Sequence, residues 1–142
     1  MIAHAALVES PLDVSEHLAA VAHPGAGATA LFVGTVRDHD PAVTGQVVQL
    51  DYSAHPDADA ILHSIAERYD TADLRIAVSH RVGSLGVGDV AIVCAVSSAH
   101  RTDAFAVNRE LVEAIKAELP VWKKQFEADG SASWVGVEGI TS

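Results

Sequence analysis

The sequence predicts an α+β fold in which a mostly antiparallel sheet is covered by helices on one face. Two observations lead to this prediction. Segments with strand patterning are interleaved with segments of helical spacing, which is typical of mixed folds. Several strands follow one another through short connections that suit hairpins rather than parallel crossovers. At 142 residues, the chain is expected to form a single domain over residues 1–142.

Composition argues against several classes of protein. Apolar residues make up 49% of the chain and charged residues 20%, which is typical of globular proteins. No apolar run approaches the roughly 18 residues of a membrane span, and no signal peptide is evident, so a cytoplasmic location is expected. The net charge of −10 argues against general nucleic-acid binding, which needs a basic surface.

The first half of the chain is expected to hold a helix and two strands. Ser10 can cap the helix, Pro11 suits its first turn, and residues 24–27 end it. The first strand is expected at residues 28–36 and the second at residues 43–52. The second strand is expected to place Val48, Leu50 and Tyr52 on one face.

The second half begins with a helix from Pro56 and continues with strands at residues 74–82 and 90–96. Glycines at 83–88 superficially resemble a nucleotide-binding loop, but no helix follows them, so a hairpin connection is favoured. A long helix at 101–119 and a short last strand at 133–137 complete the prediction. The helix that begins at Pro56 has Ala60, Ile61, Ser64, Ile65 and Arg68 at helical spacing. The expected buried stripe of the long helix is Ala104, Asn108, Leu111, Val112, Ile115 and Leu119.

All three lysines of this acidic chain lie within nine residues of one another. Pro120 predicts that the long helix ends just before it, because proline lacks an N–H and its predecessor avoids helical angles. Lys116 is then expected in the last helical turn, and Lys123 beyond the break on an irregular segment. The chain reversal can direct both ammonium groups to one place. The alternative is an ordinary helix end, in which Lys116 pairs with Glu113.

Two other places carry cations at the ends of buried strands. His100 and Arg101 lie where a strand passes into the long helix, and the free N–H groups of a helix N-terminus can hold an anion. Arg101 adds a forked donor suited to phosphate, and His100 adds a group that ionises near neutral pH. The alternative for this place is a capping or packed His100 and a solvated Arg101. The second place is Arg37, directly after the strand predicted at residues 28–36. Its alternative is an ion pair with Asp38 or Asp40.

The sequence shows no pattern of a metal centre or of a hydrolase triad. The histidines lack ligand spacing such as H-x-x-x-H. The single cysteine, Cys94, lies in an apolar run and is expected to be a small buried hydrophobe. Ser98, His100 and Asp103 are too close in sequence to form a triad by themselves. We therefore expect neither a metal nor a cofactor.

Seven segments stand in order along most of the chain: residues 32–37 (FVGTVR), 50–52 (LDY), 80–85 (HRVGSL), 98–105 (SAHR with Ala104 and Phe105), Lys116, 120–124 (PVWKK) and 134–135 (WV). Each is weak alone, but the set resembles the large, catalytic subunit of molybdopterin synthase. The resemblance implies an α/β hammerhead fold and a homodimer within a heterotetramer.

The resemblance also implies an activity. The family converts cyclic pyranopterin monophosphate (precursor Z) into molybdopterin by installing two sulfurs as a dithiolene. The sulfur comes from the C-terminal Gly-Gly thiocarboxylate of a small ubiquitin-like subunit, whose tail enters a pocket of the large subunit. By resemblance, Lys116 and Lys123 match the catalytic positions, and Arg37, His100 and Arg101 match the substrate-binding positions. Which lysine acts as acid, base or acyl acceptor stays open.

Two features of the chain depart from the family pattern. Ser53 follows the tyrosine of the second strand, where the family often has an acidic residue, and no lysine or arginine follows Lys124. The resemblance therefore does not extend to a contribution of the C-terminal tail to a neighbouring subunit. Two other readings remain, a non-catalytic pterin-phosphate binding module or paralogue and an oligomerisation domain.

Overall fold

The computed structural model describes residues 1–39 and 45–135, which contain eight strands and three helices. The strands are β1 (Ile2–Val8), β2 (Ala28–Thr35), β3 (Val47–Ala54), β4 (Leu74–Arg81), β5 (Gly83–Gly86), β6 (Val90–Ser98), β7 (Val121–Glu127) and β8 (Ala132–Val135). The helices are α1 (Val14–Val21), α2 (Ala58–Glu67) and α3 (Arg101–Glu118). Among the described residues, no helix is long and apolar enough to cross a membrane.

The strands form two four-stranded sheets, with the orders β1–β4–β6–β2 and β5–β3–β7–β8. All neighbouring strands are antiparallel except β1 and β4, which are parallel. The α+β class and the mostly antiparallel pairing are thus confirmed. The strands are divided between two sheets, however, and do not form one.

Helices cover both faces of the first sheet, so the expectation that they cover one face was wrong. Val21 of α1 packs on Ala77 and Ala95, whose small side chains let the helix approach. Ile76 and Val78 point to the opposite face, since side chains alternate along a strand. There they join the main core with α2 and α3, formed by Leu62, Ile65, Cys94, Val96, Leu111, Ile115, Leu119 and Val121 among others.

The helices differ in how well periodicity predicted them. Every residue of the expected α3 stripe is buried. In α2 the buried residues are Ala58, Leu62, Ile65 and Ala66; of the residues noted at helical spacing, Ile65 is buried and Ile61 packs against the core. The cap of α1 also differs from the prediction. Asp13, rather than Ser10, caps that helix by accepting a hydrogen bond from the Glu16 N–H at 3.3 Å.

Strands β1, β3 and β5 depart from the predicted pattern. β1 was not predicted. β3 begins at Val47, and residues 43 and 44 lie outside the described residues. A register shift between Val47 and Gln49 turns Val47 inward and leaves Val48 45% exposed. β5 occupies part of the predicted 83–88 connection: β4 and β6 do pair antiparallel, but Gly83, with φ at 101°, redirects the chain so that β5 pairs with β3.

The last strand, β8, covers the described part of the predicted strand at 133–137, and residues 136 and 137 lie outside the described residues.

Candidate active site

The long helix α3 carries Lys116 to the end of the first sheet that holds the C-terminus of β4. Its middle is fixed by Asn108, whose buried side-chain amide donates to the Ala30 carbonyl at 3.2 Å and to the Cys94 carbonyl at 2.9 Å. Lys116 lies in the last turn, as predicted, and its Nζ is 6.0 Å from the centroid of the Phe32 ring.

Strand β7 places Lys123 on the same side of the molecule. The prediction of an irregular segment here was wrong: after Pro120 the chain pairs with β3, and Lys123 lies opposite Tyr52. Directly opposed residues of antiparallel strands point to the same face, so Lys123 shares the inner face with Tyr52. Only 9% of Lys123 is exposed.

The neighbouring lysine faces the other way because side chains alternate along a strand. Lys124 pairs in register with Trp134, and its Nζ lies 5.6 Å from that ring and 5.4 Å from the ring of Phe126. Of the adjacent pair, then, Lys123 faces the interior and Lys124 lies on the outer face of the second sheet.

His80 lies near both Lys116 and Lys123. It is buried near the end of β4, and its ring is edge-on to Tyr52, with centroids 5.2 Å apart. Burial lowers the pKa of His80, and the charges of Lys116 and Lys123 lower it further, against an opposing hydrogen bond with the Arg81 carbonyl. Both ammonium groups therefore lie close enough to His80 to act on it. We call His80, Lys116 and Lys123 the lysine–histidine cluster.

Both predicted lysines thus lie near His80, which was not among the predicted site residues. The sequence placed it only among scattered histidines and in one of the matching segments. Its strand, β4, contains three other polar residues, Arg75, Ser79 and Arg81, so no local signal distinguished it. Tyr52 was missed in the same way; burial raises its pKa to about 12, so its phenol is neutral beside the cluster.

Arg37 lies at the same end of the first sheet as the cluster. His80 pairs with Ile92, which pairs in turn with Gly34, and Arg37 follows Gly34 by three residues, or roughly 10 Å of extended chain. Arg37 is exposed and makes no ion pair within residues 1–39 and 45–135; Asp40, one of its expected partners, lies outside them.

His100 and Arg101 lie at the opposite end of the sheet. His100 follows Ile92 by eight residues, roughly 26 Å along the strand, and occupies the N-cap position of α3. Its side chain makes no capping hydrogen bond, and both residues are exposed. Within one chain, therefore, the structure brings Lys116 and Lys123 together with Arg37 nearby, but does not bring His100 and Arg101 to them.

A cleft of about 710 Å³ lies beside Tyr52. It is lined by Leu7, Glu9, Tyr52, Ala54, Asp59, Val82 and Gly83. Cys94 lies in the main core, where burial raises the pKa of its thiol to about 12. Within the described residues, no group of three histidine, cysteine or acidic side chains could hold a metal ion.

Comparison with known families decides the relationship of this chain. The model of the MoaE protein family matches residues 7–118. The chain belongs to the MoaE family. The molybdopterin synthase catalytic subunit 1 of Mycobacterium tuberculosis is 42% identical over 133 residues, covering 92% of this chain and 88% of that protein.

Two further MoaE relatives agree. The molybdopterin synthase catalytic subunit of Halalkalibacterium halodurans is 38% identical over 136 residues, covering 92% of this chain and 84% of that protein. The crystal structure of molybdopterin synthase from Staphylococcus aureus superposes with a TM-score of 0.84 at 30% identity, covering 93% of this chain and 96% of that one. The family resemblance expected from the sequence is confirmed.

Proposed function

We propose that this chain is the catalytic subunit of a molybdopterin synthase. It transfers sulfur from the C-terminal thiocarboxylate of a small ubiquitin-like subunit to precursor Z and forms the dithiolene of molybdopterin. The observation that carries this proposal is the approach of Lys116 and Lys123 to the buried His80 in a chain with a net charge of −10. Membership of the MoaE family supports the proposal, because the resemblance links that family to this reaction.

The lysine–histidine cluster suits this chemistry. Precursor Z carries a phosphate, and the donor tail carries a negative thiocarboxylate, so both reactants need a local concentration of cations. Buried lysines can also move protons, because crowding by other cations and burial favour the neutral amine. Delivery of each sulfur converts the terminal thiocarboxylate of the donor into a carboxylate, and cations nearby stabilise that anion.

The sulfur has to come from outside the chain. Cys94, its single cysteine, is enclosed in the core and holds its proton at neutral pH. A glycine tail suits a narrow entrance because it lacks side chains that would clash with the walls. The name catalytic subunit, which the relatives carry, fits an assembly with a second kind of subunit.

Arg37, His100 and Arg101 are proposed to bind the substrate. Because His100 and Arg101 lie at the far end of the sheet from the cluster, we propose that they serve the cluster of a second copy in a homodimer. Arg37 serves the cluster of its own chain. This arrangement would gather all five predicted site residues around each of two symmetry-related sites.

An assay with precursor Z and a thiocarboxylated small subunit tests the reaction. We expect the dithiolene product and consumption of the thiocarboxylate, and no sulfur transfer from a partner that lacks its last two glycines. A non-catalytic pterin-binding module would hold precursor Z without consuming the donor. Turnover with the shortened partner would contradict the proposed entry of its tail.

Mixed dimers test the sharing of sites. Lys123→Ala and Arg101→Ala chains are co-expressed with different tags, and the mixed dimer is isolated by two affinity steps. It should regain about half of the wild-type rate at subsaturating precursor Z, because one of its two sites is then intact. A mixed dimer no more active than its parents would show that Arg101 acts within its own chain.

A further inference from the structure

His80 is the one member of the lysine–histidine cluster that the proposed reaction does not yet use. Its Nδ1 lies 2.8 Å from the Arg81 carbonyl oxygen, which can only accept a hydrogen bond. Nδ1 therefore carries the proton. In the neutral ring the lone pair is on Nε2, on the side of the imidazole away from that carbonyl.

We propose that His80 is a positioning residue: as a neutral hydrogen-bond acceptor, it allows two lysine ammonium groups to share one buried site. Protonation of His80 then disperses the lysines and switches the site off. This inference rests on the proposed function only where activity is measured. It assigns His80 a role in the charge balance of the site, and not a contact with the reacting atoms.

The surroundings of His80 explain why its neutral form is favoured. Lys116 approaches from α3 and Lys123 from β7, and the neutral phenol of Tyr52 approaches from β3. The cross-strand neighbours on β1 and β6 are Leu7 and Ile92, which are apolar.

Other charged groups complete the surroundings of His80. The side chain of Arg81 points to the opposite face of β4, and its nearest acidic group is Asp89 at 3.7 Å. Glu9 and Asp59 line the cleft beside Tyr52, and Asp59 accepts a hydrogen bond from the Leu7 N–H at 2.9 Å. A third positive charge on His80 would thus appear inside the site with two ammonium groups already beside it, where repulsion is weakly screened.

The sign of the pH dependence follows. Because the folded protein lowers the pKa of His80, the ring is neutral at and above the ordinary histidine pKa of about 6.5. As the pH falls below that value, the unfolded chain takes up the proton first. The free energy of unfolding therefore falls as the pH drops from the ordinary histidine pKa to the lowered pKa of folded His80. The two lysines are dispersed as the pH falls through that lowered pKa.

The first experiment does not depend on activity. The His80 ring is titrated by NMR, with its signals assigned by their absence in His80→Gln. We expect a midpoint below the ordinary histidine value of about 6.5, and a rise in Lys116→Met and in Lys123→Met. Lys124→Met, which removes the outward-facing lysine, should leave it unchanged. A His80 midpoint that does not respond to the two inner lysines would overturn the inference.

The second experiment measures sulfur transfer against pH. Glutamine also offers a neutral acceptor but cannot ionise, so His80→Gln should keep most activity at neutral pH and lose the fall in acid that the wild type shows. His80→Leu, without an acceptor, should lose on the order of 100-fold in kcat at every pH. An unchanged acid limb in His80→Gln would overturn the inference. An inactive wild type with coupled NMR titrations would contradict the proposed reaction and leave the coupling established.

Discussion

Two regions of this acidic chain collect positive charge in opposite ways. In the lysine–histidine cluster the two lysines are buried or half-buried, held by α3 and β7, and close enough to His80 to act on it. At the N-terminus of α3, His100 and Arg101 are exposed beside free helical N–H groups. Buried cations set proton affinities, whereas exposed ones attract anions through solvent. We therefore expect mutations in the first region to change rates and those in the second to change affinities.

The largest effect is expected at the inward-facing lysine of β7. Lys123→Ala should lower turnover by on the order of 100-fold or more, since it removes a group placed for proton transfer. Lys124→Ala is the matched control, because the adjacent lysine lies on the outer face. Circular dichroism checks that both variants fold. Near-normal turnover of Lys123→Ala would remove this residue from the mechanism.

A comparable loss is expected at the end of α3. Lys116→Ala should be severely impaired, and Lys116→Arg should not restore the rate, because a guanidinium stays protonated and cannot pass a proton on. Single-turnover assays at saturating precursor Z separate this loss from binding. Full activity of the arginine variant would show that positive charge alone is enough at this position.

At the exposed cations the effect should fall on affinity. Arg101→Ala and Arg37→Ala each remove a charge-assisted contact worth roughly 1.5–3 kcal/mol, which weakens binding by about 10- to 100-fold. Titration calorimetry with precursor Z measures the dissociation constants, and thermal unfolding should show little change. If the variants bind precursor Z as tightly as the wild type, neither arginine belongs to the substrate site.

The two regions can also be compared through the free energy of unfolding, because each has a closely packed glycine. A Cβ on Gly34, beside the cluster, would lie 2.6 Å from Ile92 Cγ2, and one on Gly27 would lie 2.5 Å from the Ala99 carbonyl oxygen next to His100. Alanine at either position should destabilise the fold by about 1–3 kcal/mol. The Gly27 variant should be the worse of the two, since a backbone atom cannot rotate away. Gly86→Ala is the control, because the nearest atom to a Cβ there lies at 3.7 Å. Equal melting temperatures of all three variants would show that a Cβ at Gly27 or Gly34 causes no steric clash.

The smallest effect on activity is expected at Cys94. Its thiol is enclosed in the main core, and burial raises its pKa to about 12, so it supplies no thiolate at neutral pH. Cys94→Ala should retain most of the turnover and lose some stability through the missing sulfur. An inactive but folded Cys94→Ala protein would contradict an external sulfur donor.

The sequence predicted best where one local signal was sufficient. The 3.6-residue spacing of α3 and the break at Pro120 placed Lys116 correctly, because both depend on residues close in the chain. The strand at Lys123 was missed because its pairing partner, β3, lies some 70 residues earlier in the sequence. Two adjacent lysines also hide the alternation that marks a strand.

The remaining misses have similar causes. β1 is rich in alanine and begins the chain without a turn signal, and it is fixed as a strand by parallel pairing with β4. His80 carries no local sign of its role, because the charges that act on it come from α3 and β7. Long-range pairing, which periodicity does not report, decides both.

The hydrogen bonds of Asn108 fix the position of α3 on the sheet, and they also fix the number of residues between Asn108 and Lys116. They tie α3 to the carbonyls of β2 and β6 two turns before Lys116. With the helix anchored there, each inserted or deleted residue between 108 and 116 would rotate Lys116 by about 100° around the axis and move it by about 1.5 Å. Substitutions on the exposed side of this segment leave that spacing intact, whereas a single-residue insertion would carry the amine out of the site. The eight-residue interval is therefore the part of the chain that tolerates changes of identity but not of length.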